Sequence, residues 1–221
     1  MNEYSEPKLE FNKFYHIYNC GINGCNLFVD DDDYNRFMSK YATYIEPIAD
    51  TFAWSLLGNH FHLVVRIKKE SEINTLEDYH LFEQRTKIRT PEKKPNPEKQ
   101  FSHLFNAHAQ YFNHKYDRHG ALFETPFKRN VINSLAYFKR CIIYVHQNPI
   151  KHGFVEHIED YRYTSYNSVL SEKVTYLKRE KLLGIFENKM NFEMEHVKFI
   201  SLEEALEDNT VDNRCQSPLD C

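Results

Sequence analysis

Apolar and polar positions alternate over residues 13–19 (KFYHIYN), the period of a half-buried strand, and Gly21 with Gly24 marks the turn that follows. Beyond the turn the spacing changes. Tyr34, Phe37, Met38, Tyr41, Tyr44 and Ile45 recur at helical intervals up to Pro47, and Asp30, Asp31, Asp32 and Asp33 precede them, where carboxylates favour the positive end of a helix dipole. The four aspartates are read as capping rather than as a metal site. Residues 52–57 and 60–67 form the next strand region, either a bent pair or one long strand interrupted near Gly58 and Asn59. Residues 83–100, rich in charge and proline, predict a mobile loop, a solvated linker rather than a lysine-bearing arm.

Helical spacing returns over residues 101–116, with Phe101, Leu104, Phe105, His108, Tyr111 and Phe112 on one side. Residues 121–132 (ALFETPFKRNVI) read as a strand. Residues 134–147 read as a helix with Leu135, Phe138, Ile142 and Val145 on its core side, stopped by Asn148-Pro149. A tyrosine-rich segment (161–166), a helix around 178–187 and an acidic tail expected to be disordered from about residue 207 complete the chain. Strand, helix, two strands, helix, strand, helix is the order of an α+β fold, an antiparallel sheet with helices packed on one side. The 221 residues suit one domain with elaborations: a flexible start (1–12), a main domain (13–170), a helical extension (171–206) and the tail (207–221).

Composition narrows the class. A chain 41% hydrophobic and 15% aromatic can pack a core, yet no window approaches the roughly 18 consecutive apolar residues of a membrane span, and the start is polar and acidic, unlike a signal peptide. A soluble cytoplasmic protein is expected. Cys20, Cys25, Cys141, Cys215 and Cys221 are scattered, without zinc-site spacing, and read as reduced thiols, a metal-binding Cys20–Cys25 pair being the lesser alternative. The net charge of −4 conceals an asymmetry: residues 51–152 carry 16 basic and 9 acidic side chains, whereas both flanks are acidic. Residues 126–152 hold Lys128, Arg129, Lys139, Arg140 and Lys151 and no acidic residue, so a polyanion could be drawn to the middle of the chain.

Candidate chemistry centres on residues 54–67, WSLLGNHFHLVVRI. On a strand His60 and His62 share one face and could pinch one ion, or could be hydrogen-bonded structural histidines. Tyr144 and Asn148 are four apart, so both can lie on one face of the following helix. Were that face to meet the histidine strand, two imidazoles and an amide oxygen would leave positions open on a divalent ion for a phosphate oxygen, and a phenol beside that phosphate can attack phosphorus. Magnesium prefers oxygen ligands and manganese tolerates imidazole, so either would serve.

These residues carry a resemblance. Asn59-His60-Phe61-His62 resembles the HUH motif (histidine, bulky hydrophobic, histidine), and residues 144–153, YVHQNPIKHG, resemble the tyrosine helix of single-tyrosine HUH transposases, most of all the REP-associated tyrosine transposases. FYHIYN at 14–19, YFNHKYDRHGALFETPFKR at 111–129 and YRYTSY at 161–166 extend the likeness over roughly residues 14–186. The resemblance implies a ferredoxin-like sheet with the HUH strand central, and metal-dependent cleavage and rejoining of single-stranded hairpin DNA. It makes His60 and His62 ligands of Mg2+ or Mn2+, Asn148 a third ligand or polar support, and Tyr144 the nucleophile that takes the 5′-phosphate and releases a 3′-hydroxyl. Lys128, Arg129, Lys139, Arg140 and Lys151 would meet DNA phosphates. Cys20-Gly21 stands where relatives often have a basic residue, and Leu57-Gly58 where methionine-proline is common.

Other readings compete. A domesticated hairpin-binding protein would keep the fold without turnover. A two-histidine phosphoesterase would need paired His-x-Thr or His-x-Ser motifs, and none occurs. Replication nickases share the chemistry but usually bring a longer chain. Monomer and homodimer are both left open.

Overall fold

The computed structural model describes residues 6–75 and 93–203, the last five as backbone only. Residues 83–92 of the expected loop and the whole tail from 207 therefore lie outside the described residues. The elements are β1 (Phe14–Cys20), α1 (Asp31–Tyr44), β2 (Ala49–Leu56), β3 (His60–Ile67), α2 (Pro97–Lys115), β4 (Lys128–Ile132) and α3 (Leu135–Lys151). Three more helices follow, α4 (Tyr166–Leu170), α5 (Arg179–Ile185) and α6 (Lys189–Glu203). The strands pair antiparallel in the order β2-β3-β1-β4, the ferredoxin-like arrangement, with β3 and β1 at the centre.

Alternation along the central strands divides the molecule into two layers. Tyr15, Ile17, Phe61, Leu63, Val65 and Ile67 point to one face and pack with Phe37, Tyr41 and Ile45 of α1 and Phe101, Leu104 and Phe105 of α2. This layer places helices on one side of the sheet, as expected of the α+β class. On the opposite face Val64, Ile132 and Phe52 meet Phe138, Ile142 and Val145 of α3, and Tyr166, Leu182 and Phe192 of the short C-terminal helices close the cluster. Phe52 reaches this second core because β2 bulges between Thr51 and Ala53.

The aspartate run behaves as a cap. Asp30 is the N-cap of α1 and forms a reciprocal capping box with Asp33, whose buried carboxylate also receives Lys115 at 2.9 Å and the Tyr116 hydroxyl at 2.8 Å. Residues 52–67 resolve into a hairpin, its turn held where Leu27 and Phe28 both donate to the Gly58 carbonyl at 2.7 and 2.9 Å.

Three boundaries and the burial of Leu135 differ from expectation, each for a local reason. α2 begins at Pro97, inside the expected loop, because Asn96 caps it by accepting from the Lys99 N–H and proline suits a first helical position. β4 begins only at Lys128, since Pro126 ahead of it has no N–H for a ladder, leaving one isolated bridge from Phe123 to Gly21. Leu135 is 60% exposed rather than in the core, sitting in the first turn of α3 before the helix reaches the sheet. Asn148-Pro149 does not stop α3, which runs through to Lys151. The proline removes one helix bond, but His152 N–H still donates to the Asn148 carbonyl at 3.1 Å and Phe154 N–H to the Pro149 carbonyl at 2.9 Å. The stop is Gly153, in the left-handed region at φ 69°.

Candidate active site

The antiparallel register sets Tyr18 opposite His62, Cys20 opposite His60 and Ser55 opposite His62, so β1 and β2 flank the histidine strand on the face covered by α3. His60 and His62 are 2% and 6% exposed, with ring centroids 5.3 Å apart and nearly perpendicular planes. Across from them α3 presents Tyr144, half-buried, with its ring centroid 5.3 Å from that of His62. One turn further, the fully buried Asn148 brings Oδ1 to 2.9 Å from His60 Nε2. The four residues read from the sequence are thus brought together. The helical bonds that persist past Pro149 are what hold Asn148 in this place rather than at a frayed end.

Burial governs the electrostatics. It pushes His60 down to about 4, helped by the charge of His152 and opposed by the Asn148 bond, and it holds His62 well below the usual histidine range together with His16, His60, His152 and Lys151. The imidazoles are therefore neutral at pH 7, the form that offers a lone pair.

Hydrogen-bond bookkeeping tests whether a cation fits. His60 Nδ1 faces the Asn59 Oδ1 at 2.7 Å and its Nε2 faces the Asn148 Oδ1 at 2.9 Å. A neutral ring has one proton for these two acceptors, so as the Asn148 amide is oriented, an oxygen and a nitrogen lone pair oppose each other. Asn148 Nδ2 and Ser55 Oγ are buried without a hydrogen-bond partner. A divalent cation shared by His60 Nε2, His62 Nε2 and Asn148 Oδ1 would relieve the first conflict, so the residues fit the group. Among the described residues no cluster of three or more His, Cys, Asp or Glu could hold a metal, so a third protein ligand beside the two histidines would have to be the Asn148 amide.

The basic residues separate. Arg140 and Lys151 stand four residues before and seven after Tyr144, on its stripe of α3; both are exposed, and the Lys151 ammonium lies 4.8 Å from the centre of the Tyr144 ring. Lys128, opposite Tyr18 on β4, shares the histidine face but bonds Glu6 at 3.0 Å. Arg129 points to the other face, over the Phe127 ring and 3.3 Å from Glu98. Lys139 pairs with Glu195 of α6 at 2.7 Å. Among the described residues Cys20, Cys25 and Cys141 form no disulfide.

Sequence reasoning missed His16, whose Nε2 lies 3.0 Å from His62 Nδ1, and His152, whose ring centroid is 4.7 Å from that of His60. The signal for His16 was present: in Phe14-Tyr15-His16-Ile17-Tyr18 the histidine and Tyr18 share a face, as His60 and His62 do.

A ferredoxin-like sheet carrying His-Phe-His on a central strand, met by a helix tyrosine, is what the resemblance of the sequence motifs implies. The comparisons with known proteins agree. The chain is 24% identical over 137 residues, 62% of its length and 70% of the other's, to a Haemophilus influenzae protein described as a candidate REP-associated tyrosine transposase. A solved structure of a REP-associated tyrosine transposase, bound to a REP hairpin, matches with a TM-score of 0.52 over 78% of this chain and 87% of that one, at 15% identity. The chain therefore resembles the REP-associated tyrosine transposases in sequence and has the fold of one of them. No protein-family model matches it. No helix among the described residues is long and apolar enough to cross a membrane.

Proposed function

We propose that this protein is a metal-dependent single-stranded DNA endonuclease and strand transferase that cleaves near DNA hairpins through Tyr144. The observation that carries the reading is the convergence of Tyr144 and Asn148 on His60 and His62, the Tyr144 and His62 ring centroids being 5.3 Å apart and Asn148 Oδ1 2.9 Å from His60 Nε2. The solved relative bound to a REP hairpin supports hairpin DNA as the substrate.

His60, His62 and Asn148 would hold Mg2+ or Mn2+, which when bound supplies positive charge to polarise the scissile phosphate. Tyr144 Oη attacks phosphorus, forming the O–P bond of a 5′-phosphotyrosine ester while the P–O3′ bond breaks and the departing oxygen leaves as a 3′-hydroxyl. The phenol loses its proton, and the 3′ oxygen gains one. Rejoining runs the exchange backwards with a 3′-hydroxyl as nucleophile, so the phosphoester bond energy is kept throughout. Lys151 holds its ammonium 4.8 Å from the centre of the Tyr144 ring, beside the proposed nucleophile. Arg140 and Lys151 flank the nucleophile and would take phosphates on either side of it, and Lys128 would exchange Glu6 for a third.

The test is a labelled single strand containing a hairpin and its flanks, incubated with Mn2+, Mg2+ or EDTA. Cleavage is expected with metal only, with a 3′-hydroxyl product, and is lost in Tyr144→Phe and in His60→Ala combined with His62→Ala. Cleavage by the double histidine variant would remove the metal reading. Tight hairpin binding without cleavage across several sequences would favour the binding-only protein.

A further inference from the structure

His16 is a buried histidine beside the site to which the proposed chemistry gives no task. It lies on β1, 3% exposed, with its ring beside that of His62 and nearly parallel to it (centroids 5.1 Å apart, planes at 24°), its ring centroid 5.8 Å from that of Tyr144, and the Tyr18 ring centroid 5.0 Å away. Its Nε2 is 3.0 Å from His62 Nδ1. Each neutral imidazole carries one proton, so in this bond one nitrogen donates and the other accepts. The direction is fixed by what His62 has to do. If its Nε2 is to offer a lone pair, its proton must sit on Nδ1, and Nδ1–H must then donate to His16 Nε2.

We infer that His16 is a positioning residue: it accepts the His62 Nδ1–H bond, fixes that tautomer and ring orientation, and so aims the His62 Nε2 lone pair at a divalent cation beside Tyr144. The inference rests on the proposed reading of His60 and His62 as metal ligands. An outer partner of this kind commonly changes metal affinity by about 10–100-fold when it is removed, because the ligand otherwise samples the wrong tautomer and rotation. The place of His16 in the strand register explains why it can do this. Being central in the sheet, β1 is held by β3 on one side and β4 on the other, so the acceptor is fixed to the same rigid layer as the ligand it orients.

The experiment measures Mn2+ binding to the full chain by calorimetry and by the loss of the free Mn2+ paramagnetic resonance signal, without DNA. His16→Leu removes the acceptor, while His16→Gln keeps an amide oxygen able to receive the Nδ1–H. His16→Leu is expected to weaken Mn2+ binding by about 10–100-fold with hairpin binding in EDTA unchanged, and His16→Gln to recover most of the loss. Should the leucine variant melt early, His16→Ala, which also lacks an acceptor, takes its place against His16→Gln. Mn2+ binding of wild-type strength in the leucine or alanine variant, or equal loss in the glutamine variant, overturns the role of His16. A wild-type protein whose Mn2+ binding is absent, or survives His60→Ala with His62→Ala, overturns the metal reading of the site and this inference with it.

Discussion

Ser165 joins α3 to the sheet through a chain of buried polar groups, and its removal has a calculable cost. The Trp54 N–H donates to Ser165 Oγ at 2.9 Å, and the hydroxyl donates onward to His146 Nε2 at 2.7 Å. His146 Nδ1–H then donates to His196 Nε2 at 3.0 Å, and His196 Nδ1–H to the Phe192 carbonyl at 2.7 Å. Every proton in this series has one acceptor, which fixes both histidine tautomers. Because His146 lies two residues from both Tyr144 and Asn148, the relay also sets the rotation of α3 over the histidine strand. Ser165→Ala leaves the Trp54 N–H and His146 Nε2 without partners, at about 1–3 kcal/mol for each buried group. Trp54 is only half-buried, so the sum is about 2–4 kcal/mol, a fall in melting temperature of roughly 5–15 °C for a chain of this size. Urea and thermal unfolding of Ser165→Ala, His146→Leu and the pair would show it. The double variant should cost less than the two singles together, by about 1–2 kcal/mol, since the second change removes an acceptor already stranded by the first. A Ser165→Ala protein within about 0.5 kcal/mol of wild type, or strict additivity, would refute the relay.

Acid should unfold the protein early. Six histidines, His16, His60, His62, His108, His146 and His196, are buried, and burial lowers all of them, four to about 4. Their folded pKa values lie below those of the unfolded chain, so stability is complete above pH 6.5 and is lost as pH falls toward 4, the unfolded chain binding the protons first. Urea titrations at pH 7.5, 6.5 and 5.5 should show uptake of about five protons on unfolding near pH 5.5, and stability flat from pH 7 to 5 would contradict the buried neutral set. Hairpin binding should separate the cations: Arg140→Ala and Lys151→Ala each lower the slope of log affinity against log salt by about 1, whereas Arg129→Ala, on the far face, leaves it unchanged. Salt titrations in EDTA decide this, and an Arg129→Ala slope reduced as far as that of Lys151→Ala would contradict the placement.

The parts of the fold with a clear period were legible. Alternation around His16 and His62 and helical spacing from Tyr34 to Tyr44 gave the strands and α1, and the aspartates before α1 were correctly read as a cap. Less legible were features decided by tertiary contact. Proline at 149 signals a stop in isolation, but α3 is clamped against β2 and β3 and continues to Lys151. The histidine pair, Tyr144 and Asn148 could be picked out because each stands at the spacing of its own element. His16 shares a strand face with Tyr18 in a legible alternation, but its contact with His62 is set only by strand pairing, and His152 lies at the end of a helix that was expected to finish earlier. Lys128, Arg129 and Lys139 looked alike as a basic segment, and the sheet pleat and acidic neighbours Glu6, Glu98 and Glu195 tell them apart.

The central claim is that Tyr144 makes the covalent bond. It is tested most directly by trapping the protein with a hairpin-bearing single strand and Mn2+, resolving the product on a denaturing gel, and locating the nucleotide by mass spectrometry of proteolytic peptides. A metal-dependent adduct is expected, with its 5′-phosphate esterified to Tyr144, and it is missing in Tyr144→Phe. An adduct on Tyr18 or Tyr137, or one that persists in Tyr144→Phe, would contradict it.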